Sequence, residues 1–158
     1  MDFLIKNILK IAIEKKIILT AAESCTGGMV SASLTKTSGS SKIFDCGFVV
    51  YSNNSKKKIL GVSEHVLNTY GSTSKQAAME MALGAIENSL ADIAVSCTGI
   101  AEPVANSELI GFVYISIFYL GWSNPFVWKY CLEKKRNENI NQIVNKTLNL
   151  INLVLNLI

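Results

Sequence analysis

The sequence is poor in histidine and contains only four cysteines in 158 residues. Those cysteines, Cys25, Cys46, Cys97 and Cys131, are widely spaced and form no C-x-x-C pair, and the single histidine, His65, stands apart from all of them. This spacing argues against a zinc site, and no metal or other cofactor is expected. We expect free thiols in a reducing cytoplasm.

Charge and long apolar runs are also scarce. Charged residues make up 17% of the chain and apolar residues 49%, which is typical of a globular domain and not of disorder. The net charge of +3 is too small to indicate a nucleic-acid partner. Lys6 and Lys10 interrupt the apolar N-terminal segment well before the roughly 18 residues of a membrane span, so neither a signal peptide nor a membrane partner is expected. Because domains usually take about 100–200 residues, residues 1–158 are predicted to form one domain.

Hydrophobic patterning predicts alternating helices and strands. A 3.6-residue rhythm indicates helices in the first 15 residues, in the middle region around 75–87 and from Arg136 onward, and two short helices are expected in "NNSKKKILGV" and "SEHVLNTYG". Buried strands are expected in "KIILTAAE" and "ADIAVSCTG", and "IFDCGFVVYS" is expected to be a strand because it is rich in aromatic and β-branched residues. "GFVYISIFYL" and "PFVWKYCLE" read as an antiparallel pair. The predicted fold is α/β, a single three-layer α/β/α domain with a mostly parallel mixed sheet of about five strands.

Polar residues follow three of the predicted strands. These are Glu23-Ser24, Tyr51-Ser52 and Thr98-Gly99. If the three strands are parallel, their carboxyl ends meet at one edge of the sheet, which is where such sheets bind ligands. The sequence therefore predicts a site at this edge.

Ser24 is a candidate nucleophile, but a serine hydroxyl needs a base that takes its proton. The segment around His65 reads as a surface helix, which argues against a Ser-His-Asp triad. Lysines 56, 57 and 58 are the local alternatives, and since consecutive helical residues point about 100° apart, at most one of them turns inward. The Tyr51 hydroxyl is placed either to relay the proton or to hold that lysine by a hydrogen bond.

The "TGG" stretch after Cys25 lies at the start of a predicted helix. Its backbone N–H groups are candidate donors to an oxyanion or to a phosphate, although a Gly-Gly pair there is also ordinary turn geometry. Cys25 fits a packed apolar residue better than a nucleophile, because no histidine is placed to take its proton. A cysteine hydrolase that uses Cys25 remains a separate hypothesis.

Five motifs occur in one order: "AESCTGG", "GSS", "YSNNSKKKILGV", "YGSTS" and "DIAVSCTGIAEP". This ordered set resembles the CinA C-terminal domain family, from about Ile5 to the end of the chain. The resemblance implies a three-layer α/β/α domain with a mixed sheet. It also implies metal-free hydrolysis of nicotinamide mononucleotide to nicotinate mononucleotide and ammonia, the pyridine nucleotide salvage reaction of the stand-alone PncC-type amidases.

Carried over by motif, the resemblance implies functional residues. The implied catalytic residues are Ser24 as nucleophile, Lys56 as base and Tyr51 as a possible proton relay. The oxyanion would be held by backbone amides near Gly27 and Gly28. The implied substrate contacts are Gly27, Gly28, Ser41, Thr98 and Gly99. The apolar terminal helices make a homodimer the expected assembly.

The ligand loop departs from the family motif. Here "TGIAEPVANSE" carries Glu102, Val104 and Ala105 at positions where the family has glycines. A glycine loop close to a ligand tolerates side chains poorly, and Glu102 would repel a phosphate unless a cation intervenes. The alternative hypothesis is therefore a domain with reduced or no activity that binds a pyridine nucleotide or a partner protein.

Overall fold

The structure is a computed structural model that describes residues 2–102 and 111–158, so the departures at Val104 and Ala105 lie outside the described residues. The helices are α1 (Asp2–Lys15), α2 (Met29–Thr35), α3 (Asn53–Leu60), α4 (Glu64–Thr69), α5 (Lys75–Glu87) and α6 (Arg136–Leu157), and a short 3-10 helix spans Ser40–Lys42. The strands are β1 (Leu19–Glu23), β2 (Phe44–Val49), β3 (Ile93–Ile100), β4 (Gly111–Tyr119) and β5 (Phe126–Leu132).

The five described strands form one mixed sheet in the order β2-β1-β3-β4-β5. β1 pairs in parallel with both β2 and β3, whereas β3 with β4 and β4 with β5 are antiparallel. Among these strands only β4 therefore runs against the others. The predicted α/β class, mostly parallel mixed sheet and late antiparallel pair are confirmed.

Helices cover both faces of the sheet. α1, α2 and α6 enclose one apolar core, and α3, α4 and α5 enclose the other. The residues of β3 alternate between them: Ile93 and Val95 enter the first core and Ala94 the second, while the Ser96 hydroxyl donates to the Ala78 carbonyl of α5 at 2.6 Å. A strand buried on both faces explains the continuous apolar pattern of this segment.

The terminal helices α1 and α6 pack against each other. The Asn7 side-chain amide of α1 donates to the Asn152 side chain of α6 at 2.8 Å, and both helices bury an apolar stripe on the sheet. Much of the apolar surface that suggested a homodimer is thus buried inside the chain, and the homodimer stays a prediction. Across the part of the chain that the structure describes, the helices lack the length and apolar character that a bilayer crossing needs.

Strand register places the three polar strand ends at one edge. Glu23, the last residue of β1, lies opposite Val49 of β2 and Cys97 of β3. The residues that follow these positions therefore emerge side by side, which confirms the predicted convergence. The contacts that the residues at the carboxyl ends of β1, β2 and β3 make with one another form the candidate site.

Candidate active site

A buried serine–lysine pair lies at the centre of this edge. Ser24 directly follows β1, and its amide donates to the Cys97 carbonyl at 3.1 Å. Lys56 of α3 is only 2% exposed, and its Nζ donates to Ser24 Oγ at 2.9 Å and to the Val50 carbonyl at 3.3 Å. The other two lysines of the run are exposed, so one lysine of the three turns inward, as predicted.

Local signals in α3 aim Lys56 at Ser24. Ser52 caps the helix: its hydroxyl accepts from the Ser55 amide at 3.1 Å, and its amide donates to the Ser55 hydroxyl at 3.1 Å. Gly61 ends the helix with a φ of 66°, which favours glycine. Leu60, one turn after Lys56, is buried on the same helix face. The capping box and the glycine thus fix the two ends of the helix, and the face that carries Lys56 and Leu60 is the one that is buried.

Burial lowers the pKa of the Lys56 amine, while the neighbouring Cys25 and Cys97 thiols act in the opposite direction. The ion pairs of the described residues include none to Lys56. A lysine held this way is neutral at a lower pH than an exposed one and can accept a proton from a hydroxyl. The pair therefore has the composition of a nucleophile and a general base.

Glu23 is a buried carboxylate that organises the loop after β1. Its Oε2 accepts from the Thr26 hydroxyl at 2.6 Å and from the Gly28 and Val30 amides at 3.0 Å each. Its Oε1 accepts from the amide and the hydroxyl of Ser31 at 2.8 and 2.6 Å. The carboxylate thus occupies the amino end of α2, where helix geometry favours an anion. Its contacts are structural.

This arrangement corrects the predicted role of Gly27 and Gly28. The Gly28 amide is bonded to Glu23, and the Gly27 amide donates to the Ser24 carbonyl at 3.2 Å, so neither N–H is free for an oxyanion or a substrate. Their φ angles of 59° and 97° show that the two glycines serve the turn. Within the described residues, the Cys25 and Thr26 amides donate to no backbone carbonyl, so they are the alternative candidate donors in this loop.

Tyr51 lies at the mouth of the site and not beside the pair. Its side chain is 65% exposed, and its hydroxyl accepts from Arg136 Nη2 at 3.0 Å. Lys56 is held by the Val50 carbonyl, so the predicted contact of Tyr51 with the lysine or the serine is corrected.

Arg136, the first residue of α6, was missed by sequence reasoning. Its Nη1 lies 3.7 Å from Glu102 Oε1, so a cation does stand beside the Glu102 carboxylate. A local motif cannot reveal it, because it lies 85 residues from Tyr51 in the chain. The available signal was composition, since Arg136 is the only arginine in the sequence.

Ser24, Lys56, Tyr51 and Arg136 line a cavity of about 270 Å³. Its lining consists of Ser24, Cys25, Tyr51, Lys56, Ser72, Thr73, Gly99, Ile100, Ala101 and Arg136. Four predicted site residues, Ser24, Tyr51, Lys56 and Gly99, are thus brought together. Ser72 and Thr73 were not predicted, although they belong to the "YGSTS" motif.

Thr98 supports the cavity wall from behind. It is fully buried, and its hydroxyl donates to the Ser72 carbonyl at 2.8 Å. Its predicted contact with the substrate is therefore corrected to a contact with the wall. Gly99 is required by packing, because a Cβ there would lie 2.2 Å from the Phe112 carbonyl oxygen of β4.

Ser41 lies beyond the amino ends of the parallel strands, at the opposite end of the sheet from Ser24. It belongs to the 3-10 helix before β2, and the start of β2 pairs with Leu19 at the start of β1. The rise of about 3.3 Å per residue along β1 puts roughly 16 Å between this end and Ser24. The prediction that Ser41 contacts the substrate is therefore corrected, since Ser41 does not reach this cavity within one chain.

Cys25 remains beside the reacting pair. The residue lines the cavity and is 7% exposed. The neighbouring Cys97 thiol, and to a smaller degree the Lys56 charge, lowers the pKa of Cys25. The cysteine hypothesis is therefore kept for the functional test.

The fold and the site define an α/β domain with a buried serine–lysine pair at the carboxyl ends of parallel strands. The chain belongs to the CinA C-terminal domain family, whose model matches residues 1–155. A protein of Caldicellulosiruptor bescii, provisionally named competence-damage inducible, is 54% identical over 66% of this chain and 26% of its own length. A nicotinamide-nucleotide amidohydrolase PncC of Enterobacter agglomerans is 52% identical over 56% of this chain and 54% of its own length.

Among solved structures, the competence/damage inducible protein CihA of Agrobacterium tumefaciens is 33% identical, with a TM-score of 0.85 over 98% of this chain and 94% of that chain. The curated relatives are mostly longer. This chain spans about a quarter of the length of the Caldicellulosiruptor protein and about half that of the Enterobacter one.

Proposed function

We propose that this domain is a serine amidase that hydrolyses the carboxamide of nicotinamide mononucleotide, giving nicotinate mononucleotide and ammonia. The observation that carries the proposal is the 2.9 Å contact between Lys56 Nζ and Ser24 Oγ inside the cavity. The name of the Enterobacter relative supports the choice of substrate.

The mechanism uses Lys56 as a proton shuttle. Neutral Lys56 accepts the proton of Ser24, whose Oγ forms a bond to the carboxamide carbon while the carbonyl oxygen becomes an oxyanion. The Cys25 and Thr26 amides are the donors proposed for this oxyanion. The Lys56 ammonium then protonates the leaving nitrogen, and ammonia departs from an acyl-enzyme.

Deacylation repeats these steps with water as the nucleophile. Lys56 takes a proton from the water, which adds to the acyl carbon. Collapse of the second oxyanion breaks the bond to Ser24 Oγ, the serine regains a proton from Lys56, and the carboxylate product leaves. This mechanism gives Tyr51 no proton transfer, because Lys56 bonds directly to Ser24 and to the Val50 carbonyl.

Arg136 is proposed to receive the phosphate. A guanidinium pairs well with a phosphate through two parallel hydrogen bonds, and Arg136 lines the same cavity as the reacting pair. Its contact with Glu102 is a half-exposed ion pair, which is of the kind that contributes little. A phosphate can therefore displace the Glu102 carboxylate from Arg136.

The test measures ammonia release from nicotinamide mononucleotide. We expect turnover by the wild type and none by Ser24→Ala or Lys56→Met, while Lys58→Met, an exposed lysine of the same helix, retains wild-type activity. All variants should keep the wild-type circular dichroism spectrum. Full activity in Ser24→Ala or Lys56→Met would refute the mechanism.

The same assay separates the other two hypotheses. A binding domain without turnover is favoured by the Glu102 carboxylate beside Arg136. Under that hypothesis nicotinamide mononucleotide raises the melting temperature of the wild type but releases no ammonia. A cysteine hydrolase instead requires that Cys25→Ala abolish the ammonia release that Ser24→Ala leaves intact.

A further inference from the structure

Asn139 makes three hydrogen bonds from a fully buried position in α6. Its Nδ2 donates to the Ala101 carbonyl at 2.7 Å and to the Lys134 carbonyl at 2.6 Å, and its Oδ1 accepts from the Lys134 amide at 3.1 Å. Both donor hydrogens and the acceptor are thus used on backbone groups outside its own helix. A buried amide satisfied in this way is costly to remove.

The two partners of Asn139 lie in two different segments next to the cavity: Ala101 lines it, and Lys134 precedes Arg136, which lines it. Ala101 ends the Gly99–Ala101 wall, which consists of the last two residues of β3 and the residue after them. Lys134 lies two residues before Arg136, in the segment that leads from β5 into α6. One side chain therefore ties the wall to the segment that carries the guanidinium.

Among the described residues, no N-cap side chain holds the start of α6. Lys135 stands at the N-cap position and makes no capping hydrogen bond. Asn139 lies one turn after Arg136, so its bonds to Lys134 hold the first turn from inside. These bonds therefore hold the backbone just before Arg136, which lines the cavity.

We propose that Asn139 is a positioning residue that sets the spacing between the Gly99–Ala101 wall and Arg136, and thereby the affinity for the substrate, without contacting the substrate itself. The kinetic part of this inference rests on the proposed function. Ser24 and Lys56 are placed by β1 and α3, away from these bonds. Loss of the Asn139 bonds should therefore change KM more than kcat.

The first measurement does not depend on activity. Cys25 lines the cavity beside Ser24, so its rate of alkylation by iodoacetamide, followed by peptide mass spectrometry, reports on opening of the walls. We expect Asn139→Ala to accelerate Cys25 alkylation about tenfold, the factor that corresponds to the loss of about one buried hydrogen bond. The matched control is Thr147→Val, which removes a buried hydrogen bond to the Ile143 carbonyl in the same helix, about two turns further on.

The second measurement is the split between KM and kcat for nicotinamide mononucleotide. Asn139→Ala should raise KM about tenfold and change kcat about threefold or less, since the hydrogen-bond loss acts on binding. Asn139→Asp keeps the shape and the acceptor but loses the amide donors, and it should follow Asn139→Ala in both measurements. If circular dichroism shows that Asn139→Ala does not fold, the Asn139→Asp protein alone tests the role of Asn139.

Two results would overturn the inference. One is an Asn139→Asp or folded Asn139→Ala protein with wild-type Cys25 alkylation and wild-type KM. The other is a Thr147→Val protein with the same changes as Asn139→Ala, which would show general loosening of α6. If the wild type hydrolyses no nicotinamide mononucleotide, the proposed function fails, and Cys25 alkylation still decides the role of Asn139.

Discussion

Replacement of Glu23 by glutamine tests whether the buried carboxylate holds the loop that presents Ser24. The side chain keeps its length and shape, but one oxygen becomes an NH₂ group. In the wild type the two carboxylate oxygens accept five hydrogen bonds, three at Oε2 and two at Oε1. In either orientation of the glutamine side chain, the new NH₂ group is itself a donor and points at groups that also donate in the wild type.

The best orientation keeps the glutamine oxygen on the three donors of Oε2. The NH₂ group then faces Ser31, whose hydroxyl can turn to accept but whose amide is left unpaired. An unsatisfied buried N–H costs about 1–3 kcal/mol, and three charge-assisted bonds become weaker neutral ones. Relief of charge burial offsets part of this loss. We expect the free energy of unfolding to fall by about 2–4 kcal/mol, against a usual total of about 5–15 kcal/mol.

The assay is urea unfolding followed by circular dichroism, with Glu87→Gln as the control. Glu87 is exposed near the end of α5, so its replacement should change the free energy of unfolding by no more than about 0.5 kcal/mol. A Glu23→Gln protein as stable as the control would refute the structural role. Wild-type stability with loss of ammonia release would instead make Glu23 a participant in the reaction.

Three further predictions follow from the same contacts. Because burial lowers the pKa of Lys56, ammonia release should rise with pH through that lowered pKa and then level off. Between the lowered pKa of Lys56 and the ordinary lysine pKa, the unfolded chain binds more protons than the folded one. The free energy of unfolding of the wild type, compared with that of Lys56→Met, should therefore rise with pH over this range. A difference between the two proteins that stays flat or falls contradicts this. Tyr51→Phe should raise KM a few-fold through loss of its bond to Arg136 and leave kcat nearly unchanged, whereas a fall in kcat of about 10²-fold or more would restore Tyr51 to proton transfer. Gly99→Ala should cost about 1–3 kcal/mol in a thermal melt, because its Cβ would collide with the Phe112 carbonyl; an unchanged melting temperature contradicts the close approach of β3 and β4.

Helices, strands and the location of the site were predictable from the sequence because they depend on nearby residues. Apolar periodicity defined α1, α5 and α6, and the unbroken apolar runs defined the strands. The geometry of an α helix limited the lysine run to one inward residue, the family motif selected Lys56, and Lys56 is indeed buried on the same face as Leu60. Parallel pairing of three strands then brings their polar ends together.

The use of individual hydrogen-bond donors was not predictable in this way. Gly27 and Gly28 form the turn that was expected, but the Glu23 carboxylate and the Ser24 carbonyl take their amides. Whether an N–H is free depends on the side chain that folds back onto it. Ser41 was misplaced for a related reason, since its motif gives its position in the chain but not the edge of the sheet on which it lies.

The sequence by itself thus determined the layers and the convergent strand ends, because both follow from short-range periodicity and from the fixed geometry of helices and sheets. The choice of Lys56 as the partner of Ser24 came from the family motif. Only the tertiary structure decided that Arg136 closes the cavity, that Tyr51 bonds to it, and that Asn139 ties α6 to the β3 wall. These contacts join residues between 38 and 85 positions apart. Such pairs form only after the α6 stripe has packed onto the sheet, so no local pattern encodes them.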